Sequence, residues 1–199
     1  MSRPRRVPLP QLREAILLAA GQILDREGAD GLTARAVARE VGYTAASIYN
    51  VFGSMSDLLM EVNRGTLLRL EQLFAQLPEA ASPGEKLHLL TAAYIDFMQE
   101  NPALWQAFFG GRRQREQFPD WYVAAIAGLK QRLADLLREH APQLNPGQAD
   151  HLAEQLYVAV HGAVALDLER RLDLVTRQSA VSIAAAVVDM ILLSLRPGP

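Results

Sequence analysis

Three hydroxyl residues punctuate the most informative stretch of the chain, GLTARAVAREVGYTAASIYNVFGSMSDLL, which runs from Gly31 to Leu59. Thr33, Thr44 and Ser54 each precede a short run that can wind into a helix. Ser and Thr cap helices because the side-chain oxygen accepts from backbone N–H groups left without partners in the first turn. Gly42 closes the run Ala34 to Val41, as glycine does in the left-handed conformation that ends a helix. Thr44 opens the next run about two residues later, which is the tight bend of a helix-turn-helix. In that second helix Ile48 and Phe52 face inward, leaving Thr44, Ala45, Ala46, Ser47, Tyr49 and Asn50 outside. Short and polar side chains on an outer face let a helix approach base edges in a major groove. The chemistry this spacing predicts is hydrogen bonding to nucleic acid. Gly53 ends the helix, and Ser54 to Asp57 has the S-x-x-D spacing of a further cap.

Two helices of this length need a third to hold them, and the residues before them supply it. Leu12, Ala15, Ile16, Ala19, Ala20, Ile23 and Leu24 follow the spacing of one buried helix face. The same run after Arg5-Arg6 has some features of a secretory signal, but Glu14 opens it and the periodicity is that of a globular helix. Prolines divide the rest: none occurs between Pro10 and Pro78 or between Pro146 and Pro197, while Pro78, Pro83, Pro102, Pro119, Pro142 and Pro146 crowd the middle. Apolar stripes lie between them: Leu70, Leu73, Phe74, Leu77; Leu87, Leu90, Tyr94, Phe97, Met98; Ile126, Leu129, Leu133, Leu136, Leu137. Leu152, Leu156, Ala159, Ala163 and Leu166 make a fourth stripe, and Ile183, Val187, Met190 and Ile191 a fifth. Alternating strand patterns are missing, so the fold class is all-α with about nine helices. The last helix also carries Val188, Leu192 and Leu195 on other sides, which predicts burial against a second subunit.

The 199 residues carry 20 Lys+Arg against 22 Asp+Glu, half of them are apolar, and cysteine is absent. Thiolate metal sites, cysteine nucleophiles and disulfides are thereby excluded, and a reducing, cytoplasmic location is expected. The run Ala180–Leu195 contains Asp189 and is short of the ~20 residues that cross a bilayer, so no membrane span is expected. No G-x-S-x-G, Walker A, dinucleotide glycine fingerprint or H-E-x-x-H occurs, so no enzyme is expected. Asp150, His151 and Glu154 share a helical face without a second His at the spacing metals favour, and neither a metal nor a cofactor is expected. Residues 1–53 hold 7 Arg against 5 acidic groups, and the remainder is acidic. Arg3, Arg5 and Arg6 form an arm suited to phosphates or the minor groove, with a solvated tail as the equally weighted alternative.

Thr33-Ala34-Arg35, the pairing of Val37-Ala38 with Val41-Gly42, the Thr44 to Phe52 segment with Ile48-Tyr49, and Gly53-Ser54 to Leu58-Leu59 together resemble the N-terminal DNA-binding domain of the TetR family of bacterial transcriptional regulators. The likeness covers roughly residues 10–60, with a weaker echo in Asn101-Pro102 and Val160-His161-Gly162. It implies a helix-turn-helix domain over 1–53 and a larger helical ligand-binding and dimerisation domain over 54–199, joined through a connecting helix at 54–77. It further implies that Thr33, Arg35, Thr44 and Tyr49 meet phosphates or the groove wall, while Tyr43, Ala45, Ala46 and Asn50 face bases. Two departures weaken the electrostatics: Met55 stands where the family usually has Lys, and Ala45 where Lys or Arg is frequent. The expected function is a homodimeric repressor on a palindromic double-stranded operator, released by a small apolar or amphipathic effector. A helical small-molecule-binding or adaptor protein with a degenerate DNA-binding unit is the alternative that Met55 and Ala45 motivate. Effector-contact candidates are Tyr94, Phe97, Met98, Trp105, Phe108, Phe109, Trp121, Tyr122, Tyr157 and His161, an aromatic concentration richer in polar tips than a dry core needs. The subunit contact is expected through the helices near 147–172 and 176–195.

Overall fold

Among the described residues, prolines lie in the first turn of a helix or outside helices. The structure, a computed structural model, describes residues 8–109 and 118–196, the side chains of Phe108 and Phe109 excepted. Its helices are α1 (Leu9–Gly31), α2 (Ala34–Val41), α3 (Ala45–Phe52), α4 (Met55–Ala75), α5 (Pro83–Glu100), α6 (Pro102–Phe109), α7 (Asp120–His140), α8 (Pro146–Leu168) and α9 (Ala180–Ser194). Pro83, Pro102 and Pro146 each occupy the first helical position, where the missing N–H has no intrahelical role and the fixed φ suits a helix. Caps reinforce them. Asn145 and Gln148 form a reciprocal box at α8, and Ser82 with Glu85 does the same at α5. No strand occurs among the described residues, and the fold is all-α.

The chain divides into two compact units. The first takes the chain through Leu68 and again from Asn101 through α6; the second takes Arg69–Glu100 and the helices from α7 onward. These units cut the chain differently from the 1–53 and 54–199 domains expected from sequence, because α6 packs on α1 and α4 continues through the division at Leu68. In the first unit α1 packs against α2, α3 and α6. Ile16, Ile23, Val37, Ile48 and Leu58 are all but fully buried at its centre, each such burial contributing roughly 1.5–3 kcal/mol. A second cluster joins Leu24 to Leu104 and Ala107 of α6, with Leu59 and Val62 of α4 against it.

In the second unit α7 packs on α8, α5 and α8 on α9, and α5 on α7. The buried residues of α8 are Ala149, Ala153, Leu156, Val160, Ala163 and Val164, so that Leu156 and Ala163 of the expected stripe are buried, Leu152 and Ala159 are half-buried and Leu166 is exposed. The departure from the expected stripe is larger on α9. Its buried residues are the small ones, Ala180, Ala184 and Val188, where α9 packs on α5 and α8, while Ile183, Val187 and Ile191 of the expected stripe are half-buried and Met190 is exposed. Met190 is 62% and Leu193 54% exposed, with Val158 of α8 at 67%.

One polar pair on α4 is buried without compensation. Asn63 and Thr66 are 3% and 4% exposed, and neither Asn63 Nδ2 nor Thr66 Oγ1 has a hydrogen-bond partner. An orphaned buried group costs about 1–3 kcal/mol, and an apolar side chain of the same shape does not carry that cost. Thr66→Val is therefore expected to raise the unfolding free energy by about 1 kcal/mol and the melting temperature by ~2–4 °C. A fall in melting temperature on calorimetry would mean that ordered water satisfies the hydroxyl.

Candidate nucleic-acid interface and ligand cluster

Local hydrogen bonds build the helix-turn-helix as the hydroxyl spacing predicts. Thr33 Oγ1 accepts from the Ala36 N–H at 3.1 Å, and Thr44 Oγ1 from the Ser47 N–H at 3.2 Å. Between them Gly42 takes the left-handed conformation, φ 72°, and the Tyr43 N–H donates back to the Ala38 carbonyl at 2.9 Å. Gly53, φ 74°, ends α3 with its N–H on the Tyr49 carbonyl at 2.7 Å. Ser54 then caps α4 by accepting from the Asp57 N–H at 3.0 Å while its hydroxyl donates to Asp57 Oδ2 at 2.7 Å.

Burial separates the inner and outer faces of α3. Ile48 is 1% and Phe52 7% exposed, whereas Thr44, Ala46, Tyr49 and Asn50 are exposed. Thr33 and Arg35 at the start of α2 are exposed too. Tyr43 and Ala45 are half-buried and pack on the core, and Ser47 is half-buried with its hydroxyl 2.9 Å from that of Thr44. Met55 is likewise half-buried against the core, so this side chain packs where the family's usual Lys would carry a charge. Two arginines brace the unit. Arg13 lies 5.0 Å over the Phe52 ring and donates to Glu61 at 2.7 Å, joining α1, α3 and α4, and Arg26 donates to Glu40 of α2 at 2.7 Å. Their sequence positions gave no sign of these roles, since each partner is remote in the chain. Arg3, Arg5 and Arg6 lie outside the described residues.

The second unit gathers part of the aromatic set. Tyr94 of α5 is hydrogen-bonded through its hydroxyl to His161 Nδ1 of α8 at 2.8 Å. The Tyr157 ring stacks on His161 with centroids 5.4 Å apart, and Trp121 meets Tyr122 edge to face at 6.0 Å. Burial pushes the Tyr94 hydroxyl well above its ordinary range and the Tyr157 hydroxyl up to about 12, with the nearby Tyr122 adding to both. Burial also lowers His161 to about 4, so the ring is neutral at pH 7. Phe97 lies under the Arg69 guanidinium at 5.4 Å, and Met98 is buried in the same unit. Trp105 is buried too, but on α6 in the first unit, and the Phe108 and Phe109 side chains lie outside the described residues. Glu154 engages Lys130 at 2.8 Å, which holds its carboxyl below the usual range, and His151 pairs with Gln155 at 3.0 Å. No helix among the described residues is long and apolar enough to cross a membrane.

Comparison with known proteins agrees with this architecture. Residues 16–62 match the family model described as bacterial regulatory proteins, tetR family, and residues 87–190 match a tetracyclin repressor-like C-terminal domain. An uncharacterised HTH-type transcriptional regulator of Mycobacterium tuberculosis is 27% identical over 170 residues, covering 83% of this chain and 74% of its own. The HTH-type transcriptional regulator BetI of Agrobacterium fabrum is 29% identical over 157 residues, covering 77% and 75%. Among solved structures, a Rhodococcus protein of unknown function superposes with a TM-score of 0.76 at 22% identity, covering 98% of this chain and 99% of its own. A Streptomyces coelicolor transcriptional regulator described as a TetR gives 0.68 at 17%, covering 93% and 99%. With a capped helix-turn-helix at one end and the matched C-terminal domain filling more than half of its length, the chain belongs to the TetR family of bacterial transcriptional regulators.

Proposed function

We propose that the protein is a homodimeric repressor that reads a palindromic operator and releases it when a small neutral effector binds. The observation that carries this reading is the surface of α3, where Thr44, Ala46, Tyr49 and Asn50 are exposed beside a helix anchored by Ile48 and Phe52. Residues 1–53 act as the reading domain, and residues 54–199 as the effector and dimerisation domain. The Thr33, Arg35, Thr44 and Tyr49 side chains hold phosphates or the groove wall, and Tyr43, Ala45, Ala46, Ser47 and Asn50 approach the bases. Tyr and Thr hydroxyls donate to phosphate oxygens, and Asn can make two bonds to adenine.

The outward apolar residues of α8 and α9 support the homodimer, since Val158, Leu166, Met190 and Leu193 are exposed on neighbouring helices. Gly162 adds room, because a Cβ there would meet nothing within 4 Å and a partner helix can come close. A twofold dimer sets two α3 helices one DNA turn apart, about 34–36 Å. The Tyr94–Tyr157–His161 group supports a neutral effector: with the imidazole uncharged and both phenols protonated, it offers hydrogen bonds and stacking surface but no charge to balance an ion. Phe97, Met98, Trp121 and Tyr122 of the same unit complete the proposed contact set.

Selection from randomised duplex DNA with the purified protein tests the reading. A palindrome with two half-sites is expected, and its affinity should fall steeply with salt through lost counterion release. Failure to enrich any sequence, before and after ligand removal by unfolding and refolding, would favour the degenerate-unit alternative. On the selected duplex, Tyr49→Phe should weaken all sequences alike, whereas Asn50→Ala should lose about 1–3 kcal/mol of discrimination at one base pair. Unchanged discrimination by Asn50→Ala would remove it from base readout.

A further inference from the structure

We propose that the first unit holds a binding site for a small, neutral, single-ring molecule between α1, α4 and α6, apart from the Tyr94–His161 group. A cavity of about 210 Å³ opens there. Leu24 of α1 forms one wall, together with Ala29 and Leu32 from just beyond the point where Gly28 breaks the helix with φ 72° and ψ −172°. Met55, Ser56 and Leu59 of α4 form another, and Ala107 of α6 completes it. None of these residues is ionisable, and the Ser56 hydroxyl is the lone polar side-chain group among them.

Size and chemistry select the occupant. An apolar cavity of about 150 Å³ accepts benzene, and pockets for drug-sized ligands start near 300 Å³. A volume between these takes one ring with a methyl or hydroxyl substituent. The cavity opens to solvent beside the exposed Ala29 and Ser56, and no charged side chain stands in its wall to pair with an ion.

The walls also give the site a route to the reading helices. Leu32 directly precedes Thr33, the cap of α2, and Met55 lies three residues after the end of α3, so the cavity touches both ends of the α2–α3 pair. A glycine of positive φ lies near each junction, Gly28 at 72° breaking α1 four residues before Leu32 and Gly53 at 74° ending α3, where the backbone bends without a Cβ to resist it. A ring seated between the junctions displaces α3 against α1. The effect on DNA rests on the operator-reading function proposed above, but the binding does not.

The experiment is a titration of the full-length protein with toluene, phenol and benzoate, followed by methyl NMR and by affinity for the selected duplex. Saturable shifts of the Leu24, Leu32, Met55 and Leu59 methyls are expected with toluene and phenol and none with benzoate. Saturating toluene should change duplex affinity about fivefold or more, the usual scale of coupling between two sites. Ala107→Leu, and independently Ala29→Leu from another wall, should abolish both effects, with circular dichroism melting to confirm that each variant folds. Absence of saturable shifts with both neutral rings, or shifts that survive both filled variants, overturns the site. Shifts lost in the filled variants of a protein that selects no duplex would keep the site and overturn the operator reading instead.

Discussion

Ile48→Ala should weaken duplex binding about a hundredfold while leaving most of the molecule folded. Helix α3 has eight residues and buries two of them, Ile48 and Phe52. Truncating a buried Ile costs about 2–5 kcal/mol in lost transfer energy and cavity. Loss of about 3 kcal/mol from the state that binds DNA corresponds to roughly a hundredfold in affinity. The cost falls on a short helix whose remaining anchor is Phe52 under Arg13, and the second unit keeps its own core and the Tyr94–His161 bond. Duplex affinity and denaturant unfolding of the same preparation check both halves of this expectation. Gln22→Ala, exposed on α1 and outside the proposed DNA contacts, is the control. Affinity within threefold of the parent for Ile48→Ala would show that α3 is held in place by contacts other than its buried pair.

The second large effect is on pH. His161 has a folded pKa lowered by burial to about 4, against 6.5 in an unfolded chain. Above pH 6.5 the ring is neutral in both states and makes no difference to stability. As pH falls from 6.5 the unfolded chain takes the proton and the folded one does not, so stability is lost progressively until about pH 4, where the folded state takes it too. At 1.36 kcal/mol per unit the full loss is about 3 kcal/mol. The Tyr94→Phe/His161→Leu double variant removes the titrating ring and both members of the hydrogen bond between them. Unfolding free energies measured for parent and variant between pH 7 and 4 should diverge by that amount, the parent falling faster. Parallel curves would mean that His161 protonates in the folded protein near its ordinary pKa, with water or a rearranged Tyr94 as its new partner.

What could be read from the residues depended on how local the controlling interaction is. Thr33, Gly42, Thr44 and Gly53 act within a few positions of themselves, and the three-helix reading unit was accordingly legible to within a residue at most boundaries. The faces of α8 and α9 were not. Hydrophobicity favoured Ile183, Val187 and Met190 for the core, but Ala180 and Ala184 are the residues buried where α9 packs on α5 and α8, a selection of small side chains that a hydrophobic pattern does not encode. Pairings across long separations were equally hidden: Tyr94 and His161 are 67 residues apart, Arg13 and Glu61 48. The orphaned Asn63 and Thr66 had no signal at all, since their apolar neighbours on α4 look like an ordinary stripe.

The membership of α6 in the first unit limits how such proteins can be recombined. Leu104 and Ala107 cover Leu24, yet they are encoded after the whole of Arg69–Glu100, which belongs to the other unit. A fragment ending at Leu68 would leave Leu24 facing water and should be prone to self-association. A chimera joined at that point to the remainder of a relative would import a foreign α6 against a native α1, mismatching a surface that neither parent ever presents to the other. Chimeras that exchange the second unit are thus expected to fold when α6 travels with the chain through Leu68, and to aggregate when the sequence is cut once.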